Sequence, residues 1–320
     1  MVNGSGMNRV AESMCAAEVR LGIDAHLVNP QSTLESLDPW LDADVHVSHT
    51  HLPDEFRRRI SRPYKVVWVG HGTPEHVFQT SVEEGLNHGY GHADNWMLCQ
   101  HWLRTADALV TFWPRHQAIW KSFCDKATRV DCVPLGVDRS FWKPTPSRGR
   151  FDGDPSVFTA ENAHYIKWPL DLFIAWPWVV PRVKGRPKLH APYLPRDQHR
   201  WWFPLVNRND CSYSAHISHT VFSQSELVNV FNSIDFFIGL VQKGDFNRLS
   251  LEAAACGAWT ISYTGNPYAD FWLPEGDQQT IADELVKILN GDIPPREKKP
   301  VPDVSETAAA MIKIYQRILS

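Results

Sequence analysis

The sequence predicts an α/β protein built from two doubly wound units, each a parallel sheet wrapped by helices. Three observations carry this expectation. Short apolar runs alternate with helix-periodic stretches as far as residue 138; residues 138–155, "DRSFWKPTPSRGRFDGDP", are rich in Pro, Gly and charge; and the alternation then starts afresh. Strands buried on both faces read as continuous apolar runs, and parallel strands need crossover helices between them. A Pro/Gly-rich stretch between two such patterns reads as a linker, and 320 residues suit two domains.

The elements follow in order. The helix pattern "RVAESMCAAEVRLG" leads through Gly22 into the apolar run "AHLV", then into "DVHVSH" and "KVVWVG". A helical stretch "ADNWMLCQHWLR" precedes "ADALVTF", and the helix-like "PRHQAIWKSFC" precedes "TRVDCVPLGVD". In the second half "SVFTA" opens as a strand, followed by the helical "PLDLFIAWPWVV", the strand-like "KLHAPYL" and "SYSAHIS", and the helix "SELVNVFNSI". The strand "DFFIGLV", a helix of small residues and the strand "AWTISYTG" complete the unit. The last helix, "SETAAAMIKIYQRIL", is expected to start on a capping box at Ser305. The expected domains are 1–145 and 146–303, with a terminal helix over 304–320 that can cross back to the first domain. Two similar halves imply a cleft between them.

Composition narrows the classes. A formal charge of −4 and a pI near 6.4 give no global basic field, so a nucleic-acid partner would need a local patch. The 6 cysteines form no C-x-x-C pair and several sit in apolar runs, which reads as reduced core thiols of a cytoplasmic protein. The first residues lack the apolar core of a signal peptide, and no apolar run approaches the ~18 residues of a spanning helix. The 14 tryptophans suit stacking surfaces and large aromatic cores alike.

One residue stands out of pattern. In "KGDFNRLSLEAAACGAWTISYTG", Glu252 sits among the small apolar residues of a helix, where a carboxylate needs a partner or a ligand. Together with "VPLGVDRSFWKP" upstream, this stretch resembles the retaining glycosyltransferases of family 4. The two segments are similar to that family's "P-x-G-V-D-x-x-x-F-x-P" and "LEAMACGxPVI", in the same order and spacing, and the resemblance covers nearly the whole chain. It implies the GT-B architecture, two Rossmann-like domains facing each other across a cleft. It also implies a UDP- or GDP-linked sugar held mostly by the C-terminal domain, an acceptor held by the N-terminal one, and no cofactor.

The resemblance also assigns residues. Glu252 matches the acid that accepts hydrogen bonds from the two ribose hydroxyls of the nucleotide, as a bidentate acceptor can. Its alternative role is to stabilise the first turns of its helix through the dipole. Phe246, Asn247 and Arg248 fall where the family places its amide cradle for the diphosphate, although "Gly-Phe-Gly" is here Asp245-Phe246-Asn247. The family's first Glu, which orients the sugar, is replaced by Gly244, so Asp245 becomes the catalytic candidate. Of the family's "R-x-x-x-x-K", Asn162 and Lys167 remain, and Lys167 would neutralise the leaving diphosphate. A solvated loop lysine is the competing reading. Gly4 and Gly6 resemble the first domain's Gly-rich donor loop, and Arg9 the basic residue of the next helix. His71, after "VVWVG", matches the histidine that hydrogen-bonds the transferred sugar, or is structural. Glu75 and His76 are candidate acceptor contacts.

Other constellations are weaker. Asp42-x-Asp44 and Asp152-x-Asp154 mimic a metal-binding D-x-D out of context, and the histidines of "HVSHTH" and "NHGYGHADN" lack the frame of a zinc site, so no metal is expected. The segment 182–208 interleaves Arg182, Lys184, Arg186, Lys188, Arg196, Arg200 and Arg208 with Trp201, Trp202 and Phe203. Such a segment can hold phosphates and stack bases, or can be solvated loops over buried aromatics. The resemblance implies a glycan or glycolipid acceptor, and this segment keeps a hydroxymethylated base in DNA as the alternative. A catalytically silent sugar-nucleotide-binding protein also stays open.

Overall fold

The structure, a computed structural model, describes residues 6–28, 41–49, 58–60, 63–72, 105–124, 129–146, 149, 151–160, 170–192, 215–217, 222–241 and 248–320. It divides into two compact units, one of residues 1–138 with 302–320 and one of residues 139–301.

The first unit carries a parallel sheet ordered β1 (Val45–Ser48), β2 (Lys65–Gly70), β3 (Ala108–Thr111), β4 (Arg129–Cys132). Val66 to Gly70 and all of β3 are buried, as strands covered on both faces must be. Helix α2 (Pro114–Phe123) starts on a proline, which lacks an N–H that the first turn could not have paired. It drives Trp120 edge-on against Trp68, ring centroids 5.0 Å apart. The Trp120 indole donates to the carbonyl of Gly72 at 2.8 Å and so pins the turn that follows β2.

Helix α7 (Val304–Leu319) returns to this unit and packs on α1 (Gly6–Arg20) through Ala17, Val304 and Ala308. Tyr315 Oη donates to the buried Glu18 Oε1 at 2.7 Å. Burial raises the Glu18 pKa, an effect this bond opposes. The motif "VPLGVD" is the dock for α7. Val137 bridges Asp303 in parallel, and the Gly136 amide donates to Thr307 Oγ1 at 2.8 Å, whose hydroxyl donates to the Pro134 carbonyl. A Cβ on Gly136 would lie 2.3 Å from the Asp303 carbonyl oxygen, so only glycine allows the two backbones to approach.

The second unit carries a six-stranded parallel sheet ordered β10-β9-β8-β5-β6-β7. Its strands are β5 (Ser156–Phe158), β6 (Lys188–Ala191), β7 (Ala215–Ile217), β8 (Phe236–Gly239), β9 (Trp259–Tyr263) and β10 (Phe271–Leu273). Strand alternation splits the core in two. Val157 and Ile238 join Phe173 and Trp176 of α3 (Leu170–Val179) and Ile281 and Leu285 of α6 (Gln278–Leu289). Their neighbours Phe158 and Phe237 turn the other way, to Phe231 of α4 (Gln224–Phe231), which packs beside α5 (Arg248–Cys256). Trp142 of "SFWKP" closes on Phe231 at 6.0 Å, and Asn232 Oδ1 accepts from the Thr145 amide.

Three local expectations change. Ala25–Val28 forms no strand. The cap of α7 is Asp303 in place of Ser305, because Asp303 accepts from the Ser305 amide while Glu306 reaches back to the Asp303 amide. Strand β10 and helix α6 extend the sheet beyond the elements read from sequence. The helix expected over "ADNWMLCQHWLR" lies outside the described residues.

Substituting Gly136→Ala is expected to lower the stability of the first unit by about 1–3 kcal/mol, because the clash is with backbone and something must shift. An unchanged urea midpoint would contradict this account of the motif.

Candidate functional site

In the second sheet the chain passes outward from β5 through β6 to β7, then returns to lay β8 on the other side of β5. The order reverses between β5 and β8. In open parallel sheets the loops diverge at such a point, leaving a crevice beyond the carboxyl ends of the strands. Here those two loops are the segment after Ala160, which includes Lys167, and the segment after Val241, which leads into α5. In the order of the chain, Lys167 comes after β5 and the Arg248–Glu252 stretch after β8, and those two strands are paired. Lys167, Asp245, Phe246 and Asn247 themselves lie outside the described residues.

Arg248 opens α5 as described, and Glu252 stands one turn later. Arg248 Nε donates to Glu252 Oε1 at 2.8 Å. The two side chains are only 11% and 1% exposed, so this is a buried ion pair and not a surface one. The carboxylate is felt along the helix: burial first, then the Glu252 charge, pushes the Cys256 thiol up to about 12. Cys256 is accordingly an inert core thiol, as expected. Three buried polar atoms near the switch point have no hydrogen-bond partner among the described residues: Arg248 Nη1 and Ser250 Oγ on α5, and Thr159 Oγ1 just past the end of β5.

The first unit assembles a second cluster. His49 follows β1, His71 follows β2 and Phe112 follows β3, so parallel pairing of adjacent strands gathers all three at the carboxyl edge. His49 Nδ1 and His71 Nε2 are 2.9 Å apart, and the His71 ring lies 5.6 Å from that of Phe112. Desolvation holds the His49 pKa down at about 4, which keeps that ring neutral near pH 7. Sequence reading selected His71 and set aside His49 with the rest of "HVSHTH". The partnership shows only once β1 and β2 are known to be neighbours in parallel register.

The remaining candidates are scattered. Arg9 is half-buried on α1, where its carbonyl accepts from Ser13, and Gly6 is the first residue of that helix. Gly4, Glu75 and His76 lie outside the described residues. The basic segment is less free than its sequence suggests: Arg182 pairs with Asp283 at 2.7 Å, Lys184 with Asp292 at 3.6 Å, and Lys188 with Asp152. Arg196, Arg200, Trp201, Trp202, Phe203 and Arg208 are outside the described residues. Among the described residues no three His, Cys, Asp or Glu side chains gather as a metal site requires, and no helix is long and apolar enough to cross a membrane.

Two parallel-sheet units of this kind define the GT-B class of fold, and solved structures bear this out. Sucrose-phosphate synthase from Thermosynechococcus elongatus is similar over 99% of this chain and 94% of its own, with a TM-score of 0.70 at 13% identity. The Anabaena protein HepE, in a complex with UDP-glucose, is similar over 100% and 96%, with a TM-score of 0.62 at 13% identity. The UDP-forming trehalose-phosphate synthase of Burkholderia xenovorans, in a complex with glucose-6-phosphate, covers 88% and 75%, with a TM-score of 0.61 at 11% identity. No family model and no curated protein matches the chain. At such identities the likeness establishes the architecture alone.

The buried pair makes its own prediction. Arg248→Met strands a desolvated carboxylate and is expected to cost about 3 kcal/mol or more, whereas Arg248→Met with Glu252→Gln should recover most of the loss. Equal destabilisation of the single and double variants, by denaturant titration, would show that the two charges do not depend on each other.

Proposed function

We propose that this chain is a glycosyltransferase that moves a sugar from a UDP- or GDP-linked donor to a hydroxyl of a glycan or glycolipid acceptor, with retention of configuration, as in the family 4 enzymes its motifs resemble. The observation that carries the reading is Glu252: a carboxylate wholly buried in helix α5, the helix that follows β8, one of the two strands at the switch point of the second sheet. Ligands of open parallel sheets bind at that point. A ribose offers Glu252 two hydroxyl donors, and a diphosphate offers an anion to the Arg248 guanidinium, whose Nη1 has no hydrogen-bond partner among the described residues. Similar structures holding UDP-glucose and UDP support the same nucleotide class here.

In the proposed reaction the bond from the anomeric carbon to the diphosphate breaks while the acceptor oxygen bonds to the same face. The acceptor proton passes to the departing phosphate oxygen. Lys167 and the helix amides after Asn247 stabilise the charge that collects there, and His71 orients the sugar. Asp245 takes the sugar-orienting role that Gly244 cannot fill. The described residues offer no pair of carboxylates disposed for a glycosidase-like double displacement. A DNA acceptor gains no support, since the described cations at 182, 184 and 188 already have acidic partners.

Calorimetry with UDP, GDP and ADP, each with and without EDTA, tests the donor. At least one nucleotide should bind, unaffected by chelation. Glu252→Ala should weaken that binding at least tenfold, through loss of charge-assisted hydrogen bonds worth about 1.5–3 kcal/mol each. Binding to none of the three, or binding abolished by EDTA, would defeat the proposal.

A further inference from the structure

The ion pair on α5 leaves most of the arginine unspent. Arg248 reaches Glu252 through Nε, 2.8 Å from Oε1. A guanidinium carries five N–H donors in a rigid plane, and the bond at Nε uses one of them. The terminal nitrogen Nη1 is buried and meets no acceptor among the described residues. An arginine only donates and an ionised carboxylate only accepts, so the contact has a single reading.

The backbone beneath the pair is held from both ends. Helix α5 links β8 to β9, which pair in parallel from Phe236 with Trp259 to Gly239 with Ser262. Leu251 and Ala253, on either side of Glu252, are fully buried. The helix ends at Gly257, whose φ of 98° lies in the left-handed region, with its amide on the Ala254 carbonyl and the Ala258 amide on that of Ala253. The freedom left to Glu252 is therefore rotation of its own side chain. A carboxylate grips two hydroxyls of one ring only when its plane is turned to both. The Nε bond ties Oε1 to a rigid group one helical turn away, and so restricts that rotation whatever else the carboxylate touches.

We infer that Arg248 is a positioning residue that determines specificity: by holding Glu252 Oε1 it sets the carboxylate for the ribose hydroxyls, so discrimination of ribose from deoxyribose depends on a side chain that need touch neither hydroxyl. The inference rests on the proposed ribose-binding role of Glu252. A purely structural ion pair would stabilise α5 and leave the choice of sugar alone.

The test compares a nucleoside diphosphate with its 2′-deoxy form by calorimetry, using whichever of UDP, GDP and ADP binds. The two ligands share base and diphosphate, so a lost phosphate contact or a uniformly loosened site cancels in the ratio of their Kd values. The unaltered protein should prefer the ribonucleotide about tenfold or more, and Glu252→Ala should abolish that preference. Arg248→Gln and Arg248→Lys should each reduce it to about threefold or less. Lysine keeps a counter-charge for Glu252, which favours a folded variant, but it is a flexible point charge and does not fix the carboxylate plane. Full preference in either folded Arg248 variant would overturn the inference alone, and Glu252→Ala would then still abolish the preference. An unaltered protein that binds the two forms equally would overturn the ribose role of Glu252 and the inference with it. Binding of none of the three nucleotides would remove the donor reading itself.

Discussion

The constraint on which the rest depends is the direction of the strands. Every pairing in both sheets is parallel. All carboxyl ends of a sheet therefore open on one edge, and every residue that leaves a strand there is brought to the same neighbourhood whatever its place in the sequence. His49, His71 and Phe112 meet this way, although 22 residues separate the two histidines. In the second sheet the same rule brings the segments that follow β5 and β8 to the reversal point. Parallel pairing needs crossover helices, which cover both faces of the sheets, and the continuous runs "VVWVG" and "FFIG" are the signature of that burial in the residues.

Against that background Arg248 and Glu252 form an expensive feature. Two charges removed from water regain only part of their solvation from each other, and an apolar pair of similar volume would serve stability as well or better. Their presence in a helix otherwise made of Ala, Leu, Ser and Cys points to a use beyond packing. The family-like motif at 133–138 is the opposite case. Its glycine is explained by stability, because Gly136 lets the terminal helix dock on the first unit, with Thr307 satisfying the amide and carbonyl that the close approach exposes.

Much of this was legible in the residues. The α/β class, the GT-B architecture, most strands and the placement of Glu252 on a helix after a buried strand follow from apolar runs and two motifs in order. What was not legible depends on pairing. Arg248 read as a donor-binding residue without its bond to Glu252, since an i,i+4 partner on a buried face looks the same in sequence as one on a solvated face. His49 was set aside with the rest of "HVSHTH", which lacks the frame of a zinc site, because nothing in that stretch says which strand lies alongside. The basic segment read as a patch because the acids that neutralise Arg182 and Lys184, Asp283 and Asp292, stand about a hundred residues away. The cap of α7 was displaced by two residues, as Asp303 and Ser305 both suit the role and geometry decides between them.

The central claim is that the reversal point of the second sheet is where a nucleotide sugar binds. Hydrogen exchange with and without UDP tests it most directly, peptide by peptide. The account predicts slowed exchange in the segments 159–170 and 242–252 on either side of that point, with the edge formed by β10 and α6 unchanged. Protection confined to other segments, or none at saturating UDP and none at saturating GDP, would contradict it.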